Sequence, residues 1–150
     1  MLNKFILLNE KNLRASFDIS TNKFYIDGPS IALYPEKNYL TLTGIILDII
    51  NVIHLKEKVI ISFNFSLLNT RSILELIALL KNIKISDKCK HDINVNWLYQ
   101  SDDEDMLDIG HDLAELFSEI NFNFNESSEC SYIKTNSLTT FTLKSSESSN

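Results

Sequence analysis

Between residues 61 and 83 the spacing of apolar residues changes. Ile61, Phe63, Phe65 and Leu67 alternate with Ser62, Asn64 and Ser66, whereas Ile73, Leu76, Ile77, Leu80 and Ile83 recur at three- and four-residue steps. The first spacing is that of a strand with one apolar face and the second that of an amphipathic helix, so the helix packs its stripe back on the strand it follows. The alternation is repeated downstream. Ile93 to Tyr99 reads as a strand, and Ser101-Asp102-Asp103-Glu104 has the S-x-x-E spacing of a capping box. The helix it opens has a stripe of Met106, Ile109, Leu113 and Phe117, and a last strand follows over Glu119 to Phe124.

Upstream, residues 2–8 read as a strand and Asn9 to Arg14 as a polar connection. Ala15 to Ile19 and Lys23 to Asp27 form a hairpin around Ser20-Thr21-Asn22, stopped by Gly28-Pro29. Pro35, in Tyr34-Pro35-Glu36, is placed to begin a helix. Its apolar positions from Tyr39 to Ile53 leave a narrow polar stripe through Thr41, Asp48 and Asn51, which predicts a helix largely buried or partly covered by a partner. This order of elements predicts one α/β domain: a mixed sheet with an N-terminal hairpin and about three packed helices, in two or three layers.

A chain of 150 residues, 44% hydrophobic and 23% charged, sustains one core without a metal or disulfide. Cys89 and Cys130 lack C-x-x-C spacing, and no secretory signal pattern opens the chain, so a cytoplasmic protein with free thiols is expected. Residues 91–133 hold eleven acids and no Lys or Arg. That field disfavours nucleic acid and anionic lipid. The longest apolar stretch, Leu40 to Leu55, is interrupted by Asp48, Asn51 and His54 and is shorter than the roughly 20 residues of a membrane span, so no membrane insertion is expected. Twelve of the last 25 residues are Ser or Thr. Residues 1–125 are therefore read as the domain and 126–150 as a Ser/Thr-rich, partly disordered tail.

The acids Asp102, Asp103, Glu104, Asp105 and Asp108 suggest a hard-cation site and a small metal-dependent enzyme. Acids in a first helical turn are more simply explained by the helix dipole, and those farther along by a solvated face. His111 shares a helical face with Asp108 and Glu115, but no second His stands at ligand spacing, so it is read as a surface histidine paired to a carboxylate. With no G-x-S-x-G, and with Gly28, Gly44 and Gly110 scattered, neither a nucleophile elbow nor a phosphate loop is formed. No catalysis, metal or cofactor is expected. Asn69-Thr70-Arg71-Ser72 stands out because it joins a strand to a helix N-terminus. Thr70 or Asn69 can cap that helix; alternatively Thr70 is a phosphoacceptor whose phosphate would meet free N–H groups, the dipole and the Arg71 guanidinium. The residues are compatible with both.

Val95-Asn96-Trp97-Leu98-Tyr99, followed by Asp102-Asp103-Glu104-Asp105-Met106-Leu107 and Gly110, resembles the V-N-W-x-Y…D-x-E-D-M-x-x-x-G signature of the SiaC family of bacterial phosphoregulatory proteins. Asn69-Thr70-Arg71-Ser72 is similar to the family's N-T-S-S turn and Tyr34-Pro35-Glu36 to its Y/S-P-E-N element; the Phe17–Gly28 hairpin also fits. The resemblance covers about residues 13–125. It implies a domain like the anti-sigma-factor antagonists (STAS-like), acting by partner switching. It further implies that Thr70 is phosphorylated by a Ser/Thr protein kinase and restored by a PP2C-type phosphatase, while the unmodified form activates a diguanylate cyclase controlling biofilm formation. Asn69, Arg71 and Ser72 would surround the phosphosite, and Tyr34, Glu36, Trp97, Tyr99, Asp102, Asp103, Glu104 and Asp105 would meet partners. Arg71 departs from the family's serine and Lys37 from its asparagine. An anti-sigma antagonist acting on transcription is the alternative role.

Overall fold

The structure is a computed structural model that describes residues 3–53, 57–87 and 91–127. Strands β1 (Lys4–Glu10), β2 (Leu13–Asp18) and β3 (Lys23–Ser30) come first, followed by α1 (Glu36–Ile50), β4 (Lys58–Leu68), α2 (Thr70–Ser86), β5 (Asp92–Gln100), α3 (Glu104–Leu116) and β6 (Asn121–Ser127). They form one six-stranded sheet in the order β1-β2-β3-β4-β5-β6, with β1, β2 and β3 antiparallel and β3 to β6 parallel. The mixed α/β domain with an N-terminal hairpin is thus as the sequence implies.

The register explains why there are two layers. Ala15, Ile26, Phe63 and Trp97 stand side by side across four strands, as do Phe17, Phe24, Ile61 and Val95, and all are buried. The buried stripes of all three helices belong to the same apolar cluster. Successive right-handed crossovers along a sheet that grows in one direction place every helix on one face. The opposite face carries the row Ser16, Tyr25, Ser62, Asn96 and Asn123, which explains the polar half of the period-two pattern.

Several local expectations are corrected. The polar run from Asn9 to Arg14 is a tight hairpin, since β1 extends to Glu10 and pairs with Leu13. Gly28-Pro29 does not stop β3. The β2 ladder has ended at Asp27, and the β4 ladder shifts register between Gly28 and Ser30, so the missing Pro29 N–H disrupts neither. Helix α1 is amphipathic, burying Tyr39, Leu42, Thr43, Ile46 and Ile50 while Leu40 is 75% exposed. Strand β6 continues through Asn125, Glu126 and Ser127, paired with Leu98, Tyr99 and Gln100, so a boundary at 125 cuts a strand. His54, Cys89, Cys130 and residues 128–150 lie outside the described residues.

Candidate functional site

Because β3, β4 and β5 are parallel, their C-terminal ends share one edge, and the N-termini of α1, α2 and α3 rise from it. Open α/β sheets characteristically place their binding residues at this edge. Three connections meet there: 31–35, Asn69 and 101–103.

Asn69 organises the centre. Its Oδ1 accepts from the Ser72 backbone N–H at 2.9 Å, making it the N-cap of α2. Its amide donates to the Ala32 carbonyl at 3.0 Å, and its backbone N–H donates to Ser30 O at 3.2 Å. Below it, the buried Ser30 hydroxyl donates to Ser72 Oγ at 2.8 Å. That uses Ser30's only hydroxyl hydrogen, so Tyr39 donates to Ser30 Oγ across 2.8 Å. Strand β3 and the first turns of α1 and α2 are therefore fastened by one polar network under the surface. Replacing Asn69 by Ala removes the cap and the bond to Ala32. A loss of about 1–2 kcal/mol is expected by chemical denaturation, against less than about 0.5 kcal/mol for Thr70→Ala.

Burial pushes the Tyr39 hydroxyl up to about 12, although hydrogen bonds with Ser30 and Ser72 act in the opposite direction. An acid whose folded pKa is raised favours the folded state below its unfolded value of about 10 and loses that contribution as pH rises toward 12. Stability should therefore fall steeply between pH 10 and 12, by up to about 2–3 kcal/mol from this group. In Tyr39→Phe that component of the pH–stability curve should vanish, as thermal melts across the range will show.

With Asn69 serving as the cap, Thr70 is free of that task. It is the first residue of α2, it is exposed, and its hydroxyl makes no hydrogen bond among the described residues. Arg71 is engaged with the segment before and at the start of α1: its Nη1 lies 2.9 Å from Glu36 Oε2, and its guanidinium carbon stands 5.7 Å from the Tyr34 ring centre. The two separate sequence elements, Tyr34-Pro35-Glu36 and Asn69-Thr70-Arg71-Ser72, are thus joined. At this edge large apolar side chains reach solvent: Ile31, Leu33 and Tyr34 before α1, Leu67 near the end of β4, and Leu74 one turn beyond Thr70. Of the residues of this rim only Tyr34 is marked as partner-meeting by the sequence. The signal for the others was Leu67, the last residue of the period-two series, whose apolar side chain is exposed near the end of β4.

The acidic connection is at the same edge, with a different internal logic. Asp103, rather than Ser101, caps α3, its Oδ1 accepting from Met106 N–H at 3.0 Å. Asp102, Glu104 and Asp105 are exposed, and Tyr99 is half-buried against the core. Trp97 is a core residue instead of a partner contact: it is 1% exposed and its indole N–H donates to Met106 O at 2.9 Å. An added Cβ on Gly110 would lie 2.5 Å from Trp97 Cδ1, so the helix can approach only because residue 110 has no side chain. The W…D-M…G spacing thus holds α3 on β5. His111 lies against Phe124, ring centres 4.2 Å apart, and forms no ion pair with a carboxylate among the described residues. Among the described residues no three His, Cys, Asp or Glu side chains converge as metal ligands. No described helix is long and apolar enough to cross a membrane.

Comparison with known proteins gives these features a family context. Apo-SiaC from Pseudomonas aeruginosa superposes with a TM-score of 0.63 at 12% identity, covering 85% of this chain and all of that one. SiaC in the crystal structure of the diguanylate cyclase SiaD with its activator, from the same organism, gives 0.61 at 16% identity over 82% of this chain and 99% of that one. At such identities the likeness concerns the fold. No curated protein sequence matches the chain. A sequence model for SiaC family regulatory phosphoproteins matches residues 9–127, which contain the whole described sheet from β2 onward, the Thr70 edge and the Trp97–Gly110 contact. The chain belongs to the SiaC family of regulatory phosphoproteins.

Proposed function

We propose that this protein is a non-catalytic, cytoplasmic, phosphorylation-controlled activator. In its unphosphorylated form it docks on a diguanylate cyclase and stimulates it, and phosphorylation of Thr70 releases it. A Ser/Thr protein kinase transfers the phosphoryl group from ATP to Thr70 Oγ1, and a PP2C-type phosphatase removes it by hydrolysis. The observation that carries the reading is the exposed, unbonded Thr70 hydroxyl at the start of α2, at the sheet edge that carries the apolar rim, in a chain of this family. The cyclase assignment is supported by the related Pseudomonas aeruginosa protein, described as the activator of SiaD.

The chemistry at Thr70 is consistent with a reversible mark. A phosphate there adds about −1.5 to −2 charges beside unpaired N–H groups at the positive end of α2, so the fold accepts it. The same charge at an apolar docking edge opposes burial by a partner. Incubation with the cognate kinase and ATP, followed by phosphosite mapping, tests the assignment. The phosphate is expected on Thr70, with none incorporated into Thr70→Ala; modification elsewhere with Thr70 untouched would refute it.

A further inference from the structure

We infer that Arg71 couples phosphorylation of Thr70 to the Tyr34–Glu36 turn by leaving Glu36 and binding the new phosphate. The inference rests on the Thr70 reading above. In the unmodified chain Arg71 holds Glu36 through a single contact, Nη1 to Oε2 at 2.9 Å, with both side chains about half exposed. Such a pair contributes little in water. The guanidinium has five N–H donors in a planar fork, and a phosphate can take two of them at once as charge-assisted bonds. A dianion held by the adjacent residue therefore outcompetes the one-point carboxylate.

Geometry explains why the residue is arginine. Consecutive positions are about 100° apart around a helix, and their short side chains do not meet. Arginine's long arm spans that angle, as its present reach across to α1 demonstrates. When it swings to the phosphate, Glu36 loses its ion pair and Tyr34 loses the cation stacked over its ring. The turn so released carries Ile31, Leu33 and Tyr34, part of the apolar rim. One phosphate would thus alter the docking surface on two chain segments: directly at α2 and, through Arg71, before α1. A serine at position 71 would provide only the first effect.

The test uses the full chain with phosphothreonine genetically encoded at position 70, with Arg71 present or replaced in Arg71→Ser. Phosphorus NMR follows the phosphate's second ionisation, and proton–carbon NMR follows the Tyr34 ring. The ionisation is expected at a pH lower by about half a unit or more when Arg71 is present. Tyr34 signals should shift on phosphorylation with Arg71 present and remain in place in Arg71→Ser. Identical phosphate titrations in the two proteins, or Tyr34 shifts that do not depend on Arg71, would overturn the coupling. Partner affinity measured on the same samples reports the Thr70 switch separately: it is the switch that fails if phosphorylation leaves binding unchanged in both.

Discussion

Phosphorylated at Thr70, the protein should bind its output partner at least a hundredfold more weakly than the unmodified chain, while Thr70→Ala binds as tightly as wild type. Thr70 is exposed at the same sheet edge as Ile31, Leu33, Tyr34, Leu67 and Leu74, so a partner docked over this edge is expected to cover the hydroxyl. A hydroxyl or a methyl can be buried there without large penalty. A dianion cannot, and desolvating it against an apolar surface costs several kcal/mol, where about 2.7 kcal/mol already amounts to a hundredfold. Thr70→Glu carries one charge in a different shape and should fall between the two. Titration calorimetry with each form makes the comparison, and the melting of the phosphorylated chain should stay close to wild type because the fastening network of Ser30, Tyr39 and Ser72 lies beneath the surface.

Opposite effects are expected from the same substitution at two helical glycines. In α3, Gly110→Ala drives a Cβ into Trp97, whose Cδ1, Nε1 and Cγ would lie 2.5, 2.6 and 2.8 Å away. The ring cannot retreat: it is buried, packed against Phe63 and Phe65, and tied to Met106 O. Alanine's helix preference returns about 1 kcal/mol, but overpacking a rigid contact costs about 1–3 kcal/mol or more, so the net result is destabilisation. In α1, Gly44 has nothing within 4 Å of an added Cβ, and Gly44→Ala should stabilise by about 0.5–1 kcal/mol. Paired urea melts decide the matter. A neutral or stabilising Gly110→Ala would mean that α3 does not sit on Trp97 as described.

How much of this was legible in the sequence depends on the range of the interactions involved. Strand and helix identity followed from period, because burial on one face imposes it directly: Ile61, Phe63 and Phe65 did enter the core, and Leu76, Leu80 and Ile83 did cover it. Boundaries set by a neighbouring strand were not legible. Pro29 looks like a terminator until the pairing of β3 with β2 is known to end at Asp27, and Asn9 looks like loop until Glu10 is found paired with Leu13. Capping was misassigned where two acceptors competed, with Asp103 prevailing over Ser101. At the site, Asn69-Thr70-Arg71-Ser72 and Tyr34-Pro35-Glu36 could be marked individually, but their junction through Arg71 and Glu36 spans 35 residues and depends on the adjacency of α1 and α2. Trp97, which the resemblance places among the partner-meeting residues, is buried in the core; a rare aromatic in a motif suits either role. Only the Gly110 contact and the bond to Met106 O distinguish the two.

In the proposed function, Thr70 controls activation of a partner cyclase by this chain. The rate of cyclic di-GMP formation from GTP by that cyclase tests this, with the 150-residue chain added either unmodified or stoichiometrically phosphorylated at Thr70. Stimulation by the unmodified chain, retained with Thr70→Ala and abolished by phosphorylation, is the predicted result. Equal stimulation by the unmodified and phosphorylated chains, or stimulation only by the phosphorylated one, would contradict it.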